Sequence, residues 1–200
     1  NASVYDTHVA NYPTDPRLDG TYLHYYTRAD NGAEVKVYPS TGRNNFRASH
    51  PYLFKFAEKD KSHTAQYNSQ NYIVYRYADL LLMLAEISNE LSKGAEAIGY
   101  VEDVLNRVGL TPHLSYQGGQ DSFRDAIMRE YRFELLGEGE DSHNNRRRGY
   151  TYFLNNIILP HNNDPNKSPQ YDLTLLVDEA RIMKLPIPLG EVTTNNLIDD

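Results

Sequence analysis

The chain has 200 residues, a formal net charge of −7, and neither cysteine nor tryptophan. That length suits one substantial domain, the acidic balance argues against an electrostatic nucleic-acid binder, and the lack of cysteine excludes a disulfide scaffold, a thiolate nucleophile and a Cys-ligated zinc site. The longest apolar run, Leu80–Ala85, is far short of the ~20 residues that span a bilayer. Asn1 does not open a basic and apolar leader, so the chain is expected to be a processed form or a fragment, with any targeting signal outside it.

Tyrosine is the outlier. There are 17, eleven of them between Tyr5 and Tyr77. A tyrosine offers a flat apolar face with a polar tip, which suits wet binding surfaces; it equally suits ordered loops that need hydrogen-bonding side chains.

In chain order, residues 1–70 show no helical period and are expected to form a loop-rich, Tyr-rich segment. Asn11–Gly20 holds two prolines and a glycine and reads as turns. Asn31-Gly32 predicts a short β-hairpin, with Val35 and Val37 alternating with charged residues beyond it. Residues 71–158 read as helical. Tyr77, Leu80, Leu84, Ile87 and Leu91 form one stripe, with Ala78, Leu81, Leu82 and Ala85 beside it. The spacing predicts a helix over about 76–91 that is buried on several sides. A second helix is expected over about 95–108, stopped by Gly109 and Pro112. This pair spans about 34 residues, the period of a tetratricopeptide-type repeat. A third helix is expected over about 122–136, entered through Ser122 and Asp125 as a capping pair, and a shorter one over about 145–157. Residues 159–200 read as an irregular tail, with Leu185, Ile187 and Leu189 extended between prolines and packed on the helices. The whole is one domain or half of a larger one.

In the third helix Glu130 and Glu134 are like charges four residues apart, beside an apolar face. That is unfavourable unless arginines meet them. The expectation is a structural ion-pair network joining Glu130 or Glu134 to Arg76, with Asp79 serving the first turn of its own helix. A glycosidase would instead need two carboxylates facing each other across a cleft, ~5–10 Å apart. Nothing supports serine-hydrolase chemistry, since there is no G-x-S-x-G. The seven histidines are scattered without metal-ligand spacing. The basic run Arg146–Arg148 reads as local pairing with Glu138, Glu140 and Asp141.

Four blocks in order carry a resemblance: "YRYADLLLMLAE" (Tyr75–Glu86), "DVLNRVGL" (Asp103–Leu110), "IMREYRFELLGEGE" (Ile127–Glu140) and "LPIPLGEV" (Leu185–Val192), with "DPR" (Asp15–Arg17) upstream. Together they resemble the C-terminal half of a SusD/RagB-like protein. The resemblance implies a mainly α fold of tetratricopeptide-like helix pairs with long irregular loops. It implies a non-catalytic, cofactor-free component of a nutrient uptake system that binds glycans, less often peptides, and passes them to a SusC-like TonB-dependent transporter. It also implies attachment to the outer membrane of a Bacteroidetes-type bacterium through an N-terminal lipid anchor that this chain lacks. After the Glu138-Gly139 pair, where the family often has an aromatic-rich stretch, this chain has the polar and basic "EDSHNNRRRG".

The family holds its ligand residues in no fixed motif, so candidates come from composition. The densest cluster is Tyr22, Tyr25, Tyr26 and Arg28, with Tyr38 and the turn Asn44, Asn45 and Phe46. Aromatic stacking plus hydrogen bonds from Asn and Arg is what a hydroxylated ligand needs. Packing between segments is the other reading of each tyrosine. A protein- or peptide-binding helical-repeat module remains the alternative function; an apolar groove between helices would favour it, and exposed tyrosines on loops would favour a glycan.

Overall fold

The computed structural model describes residues 2–37, 51–57, 71, 73–164, 183–184 and 187–195. Its elements are α1 (Ala2–Asn11), α2 (Arg17–Thr21), β1 (Tyr22–Leu23), β2 (Tyr25–Thr27), β3 (Glu34–Lys36), β4 (Tyr52–Leu53), α3 (Tyr77–Glu90), α4 (Gly94–Asn106), α5 (Gln120–Leu135), α6 (Asp141–Arg147), α7 (Tyr150–Phe153), α8 (Leu159–Asn162) and α9 (Leu189–Thr194). The fold is mainly α.

The core sits where α3, α4 and α5 meet. Leu81, Leu82 and Ala85 of α3 close on Ala97, Val101, Val104 and Leu105 of α4 and on Phe123, Ile127, Met128 and Phe133 of α5. The 3–4 spacing of these residues puts each set on one helical face. Burying a leucine or isoleucine contributes ~1.5–3 kcal/mol, which is why these faces, rather than propensity, hold the helices. The backbone N–H of Arg76 donates to Asp79 Oδ2 at 2.9 Å, capping the start of α3. Gly109, at φ +73°, lets the chain turn away after α4.

The four helix expectations meet the structure unevenly. The first three fall close to their predicted spans, but α5 begins two residues early. Ser122 lies inside its first turn, and its hydroxyl donates to Ser115 O at 2.6 Å rather than capping. The fourth expected helix is broken. Gly149, at φ +91°, separates α6 from α7, and Leu154–Ile158 forms a π-helical turn before α8. Residues 2–11, read as irregular, form α1. Val4, His8 and Tyr12 face inward at intervals of four, and the buried histidine hides the stripe from a hydropathy reading.

Two expectations about burial fail. Tyr77 (72% exposed), Ile87 (54%) and Leu91 (63%) stand in solvent. Among the described residues α4 and α5 cover only the Leu81–Leu82–Ala85 side of α3. Ile187 and Leu189, expected to pack on the helices, are exposed, and Leu189 opens α9. Leu185 lies outside the described residues.

The β structure is small. β2 and β3 form the expected antiparallel hairpin, with Tyr26 opposite Val35; Gly32 takes φ +70° in its turn. β1 pairs antiparallel with β4, and Leu53 of β4 lies against the bare Cα of Gly137, where a Cβ would collide with it.

Candidate functional site

Two regions collect the polar side chains singled out above. The first is a buried ion-pair network at the junction of α2, α3 and α5. The i,i+4 spacing of Glu130 and Glu134 turns both carboxylates to the inner face of α5, where they are 1% and 3% exposed. Arg17, fixed at the start of α2, reaches them with Nη1 at 2.6 Å from Glu130 and 2.7 Å from Glu134. Its Nε donates to both oxygens of Asp15 at 3.0 and 2.9 Å. Arg17 Nη2 lies 2.7 Å from Asp15 Oδ2, but its N–H directions miss that oxygen, so Nε carries the bond. Arg76 arrives from the entry of α3 and joins Glu134 at 2.5 Å and Glu138 at 2.7 Å. It does not meet Glu130. Lys55 adds a bond to Glu138 at 2.7 Å, and Arg107 donates to Glu134 at 2.8 Å. Four cations thus face four carboxylates.

Burial pushes the Glu134 and Glu138 carboxyls up, but the arginines, with Lys55 at Glu138, outweigh it and leave both below the usual range. Asp15 is depressed in the same way, its hydrogen bonds from His8 and Arg17 exceeding the desolvation. Glu130 goes the other way. Burial dominates, Arg17 offsets only part, and one oxygen has no partner among the described residues. His8 is stacked on Phe133 at 4.2 Å and bonded through Nε2 to Asp15 at 2.7 Å. Its Nδ1 is buried without a partner among the described residues. Protonating that nitrogen would bury an unpaired donor, and burial accordingly lowers the His8 pKa.

The second region is the tyrosine cluster. The structure divides it. Tyr22 is 5% exposed and packs edge-on against Tyr5, 5.1 Å between centroids; it belongs to the interior. Tyr25 and Tyr26 are 46% and 42% exposed on β2. Successive strand residues leave opposite faces, and a two-stranded hairpin leaves both faces open, so each face presents one tyrosine rather than a paired platform. Lys36 lies 5.8 Å from the Tyr25 ring. Arg28 is exposed and bidentate to Asp30 at 2.9 and 2.5 Å. Tyr38, Asn44, Asn45 and Phe46 lie outside the described residues.

Sequence reasoning passed over Asp15, Arg17, Lys55 and Arg107 as members of the network, and set Glu138 against the Arg146–Arg148 run, whereas it meets Arg76 and Lys55. Asp15 and Arg17 carried a signal, the "DPR" triplet, and Glu138 continues the four-residue step of Glu130 and Glu134. Arg147 and Arg148 also pair differently from the expectation for the arginine run. Arg147 is bidentate to Glu86 at 2.5 and 2.6 Å, and Arg148 Nη2 lies 4.0 Å from Asp125.

Comparison with known proteins now decides the relationship, because the model of the SusD family matches residues 2–199. The chain belongs to the SusD family. It is 33% identical over 158 residues to SusD-like protein P25 of Formosa agariphila, a match covering 76% of this chain and 28% of that protein. SusD-like proteins P38 and P2 of the same organism match at 38% and 28% identity, over 34% and 80% of this chain and 15% and 32% of theirs. The chain thus spans a third or less of each relative's length. No solved structure gives a significant match. In this chain Arg17 of "DPR" is the hub of the network, and the "IMREYRFELLGEGE" block supplies Glu130, Glu134 and Glu138.

Proposed function

We propose that the protein is a cell-surface glycan-binding component of a TonB-dependent nutrient uptake system, non-catalytic, working beside a SusC-like outer-membrane transporter. The observation that carries this reading is the family match across residues 2–199. The full-length protein would hold to the outer membrane by an N-terminal lipid anchor; among the described residues no helix is long and apolar enough to cross a membrane.

The geometry supports binding rather than hydrolysis. Glu134 and Glu138 are held by arginines, and Glu130 is sealed at 1% exposure behind Arg17. A hydrolytic pair needs open carboxylates on either side of a substrate. Among the described residues of the tyrosine cluster, the hairpin rings Tyr25 and Tyr26 are the exposed members available to stack on a sugar. Calorimetry of the full-length protein with oligosaccharides tests the role of the hairpin. Tyr25→Ala is expected to weaken binding about tenfold, the loss of ~1–1.5 kcal/mol of aromatic contact, with an unchanged circular dichroism spectrum. Unchanged affinity removes the hairpin from the site.

The peptide-binding alternative keeps one observation in its favour, the solvent-facing stripe Tyr77, Leu80 and Ile87 on α3, continued by Leu91 at its C-terminal cap. A contiguous apolar face of this kind marks a packing or protein-contact surface.

A further inference from the structure

A cavity of about 500 Å³ opens between α1, α5 and the α6–α8 segment. This falls within the ~300–1,000 Å³ range of ligand pockets. Its walls carry Arg129 and Arg132, one turn apart on α5, and Arg148 just after α6, against a single carboxylate, Asp125. In a chain of net charge −7, that is a local reversal of sign.

The arginines here are bound differently from those of the buried network. Arg17 and Arg76 sit 2.5–2.7 Å from their carboxylates. In the cavity, Arg148 Nη2 is 4.0 Å from Asp125. Arg132 Nε is 3.0 Å from Asp141 without the alignment of a hydrogen bond, and its Nη1 only brushes Asn156 O at 3.4 Å. Arg129 has no hydrogen-bond or ion-pair partner among the described residues. A structural role in tying α5 to α6 would account for Arg132, but it leaves the guanidinium of Arg129 unexplained.

The remaining lining suits a sugar. Val4 and Phe133 give an apolar floor, and Tyr152, Asn155 and Asn156 give hydroxyl and amide groups. Both asparagines lie on the π-helical turn Leu154–Ile158, a local irregularity often found at functional sites. The Arg148 guanidinium lies over the Tyr152 ring at 5.6 Å. The Tyr152 phenol is raised by burial and by Asp125, and all three arginines pull against that rise, so their field converges on this wall.

We propose that this cleft is an oxyanion site that takes the carboxylate or sulfate ester of an acidic saccharide, with Arg129 and Arg148 as its donors. A guanidinium presents two parallel N–H groups that match either group, and an ammonium does not. The proposal rests on the glycan-binding reading and narrows it to charged ligands.

The test is calorimetry of the full-length protein with three probes: a galacturonate trisaccharide, the same trisaccharide methyl-esterified at every carboxyl, and a sulfated galactan tetrasaccharide. An acidic probe is expected to bind, and the neutral ester to bind at least about tenfold more weakly, the worth of one charge-assisted hydrogen bond. Arg129→Gln is expected to bring the acidic probe down to the ester's affinity at an unchanged melting temperature, and Arg148→Gln to repeat the loss. Preference for the trisaccharide assigns a carboxylate, and preference for the tetrasaccharide a sulfate ester. Equal binding of acidic and neutral trisaccharides, or no change with either variant, overturns the oxyanion site and leaves the glycan reading standing. Should no saccharide bind, inorganic sulfate separates the two ideas: protection against thermal unfolding that Arg129→Gln abolishes keeps the oxyanion site and removes the glycan reading. No saccharide binding and no such protection overturns both.

Discussion

At the scale of single residues, Arg17 has the largest stake. It touches Asp15, Glu130 and Glu134 while only 8% exposed. Removing one member of a buried charge set leaves the others uncompensated, which costs ~3–5 kcal/mol. Arg17→Met is therefore expected to lower stability by about that much in chemical denaturation, although methionine fills similar space. A loss below ~1 kcal/mol would mean that water already screens the network. The network also sets a pH dependence. His8, Asp15, Glu134 and Glu138 all have folded pKa values below their ordinary ones. Each then binds fewer protons folded than unfolded, so stability is lost as pH falls through the window between the two values. Glu130, raised, opposes this above the ordinary carboxylate value. Melting temperature is expected to start falling below the ordinary histidine value of 6.5 and to fall more steeply once the three depressed carboxylates titrate. His8→Asn should flatten the first part of that profile and leave the second.

At the scale of elements, α3 shows how packing decides what propensity leaves open. Its face toward α4 and α5 is closed, with Leu82 fully buried, while Leu80 two residues earlier is 47% exposed. Leu82→Ala is expected to cost ~2–5 kcal/mol by cavity formation, and Leu80→Ala well under half of that; urea titrations of the two variants measure the difference. Equal losses would mean that a further element covers the Leu80 face. The first three long helices were legible because their apolar residues recur at steps of three and four over more than ten residues. α1 was not, because its inward stripe passes through His8, whose burial depends on Asp15 and Phe133 rather than on hydropathy. The expected fourth helix broke because Gly149 takes a left-handed conformation, which no periodicity reveals. For the network, Arg76 was legible as an isolated cation at the mouth of an apolar helix. Arg17 was not, since it pairs with carboxylates 113 and 117 positions away, beyond any local pattern.

At the scale of the molecule, the polar groups divide by whether their charges are matched. Around Glu130, Glu134 and Glu138 every carboxylate has met a cation, and a cavity of about 420 Å³ beside them is lined by charges already paired, among them Arg17, Arg76, Arg107 and Lys55. Such a set fixes α2, α3 and α5 relative to one another and has little left for a ligand. The exposed hairpin and the arginine-lined cleft hold groups whose binding capacity is not consumed by the fold. The tyrosine count pointed toward a sugar-binding surface without saying which rings it uses, because burial, which removes Tyr22 and leaves Tyr25 and Tyr26, is a tertiary property.

Isothermal calorimetry of the full-length protein, titrated in parallel with a panel of neutral and acidic oligosaccharides and with a panel of peptides, bears most directly on the glycan-binding role. Saturable binding of at least one oligosaccharide, with peptides silent, is the predicted result; tight peptide binding with no response to any saccharide would contradict it.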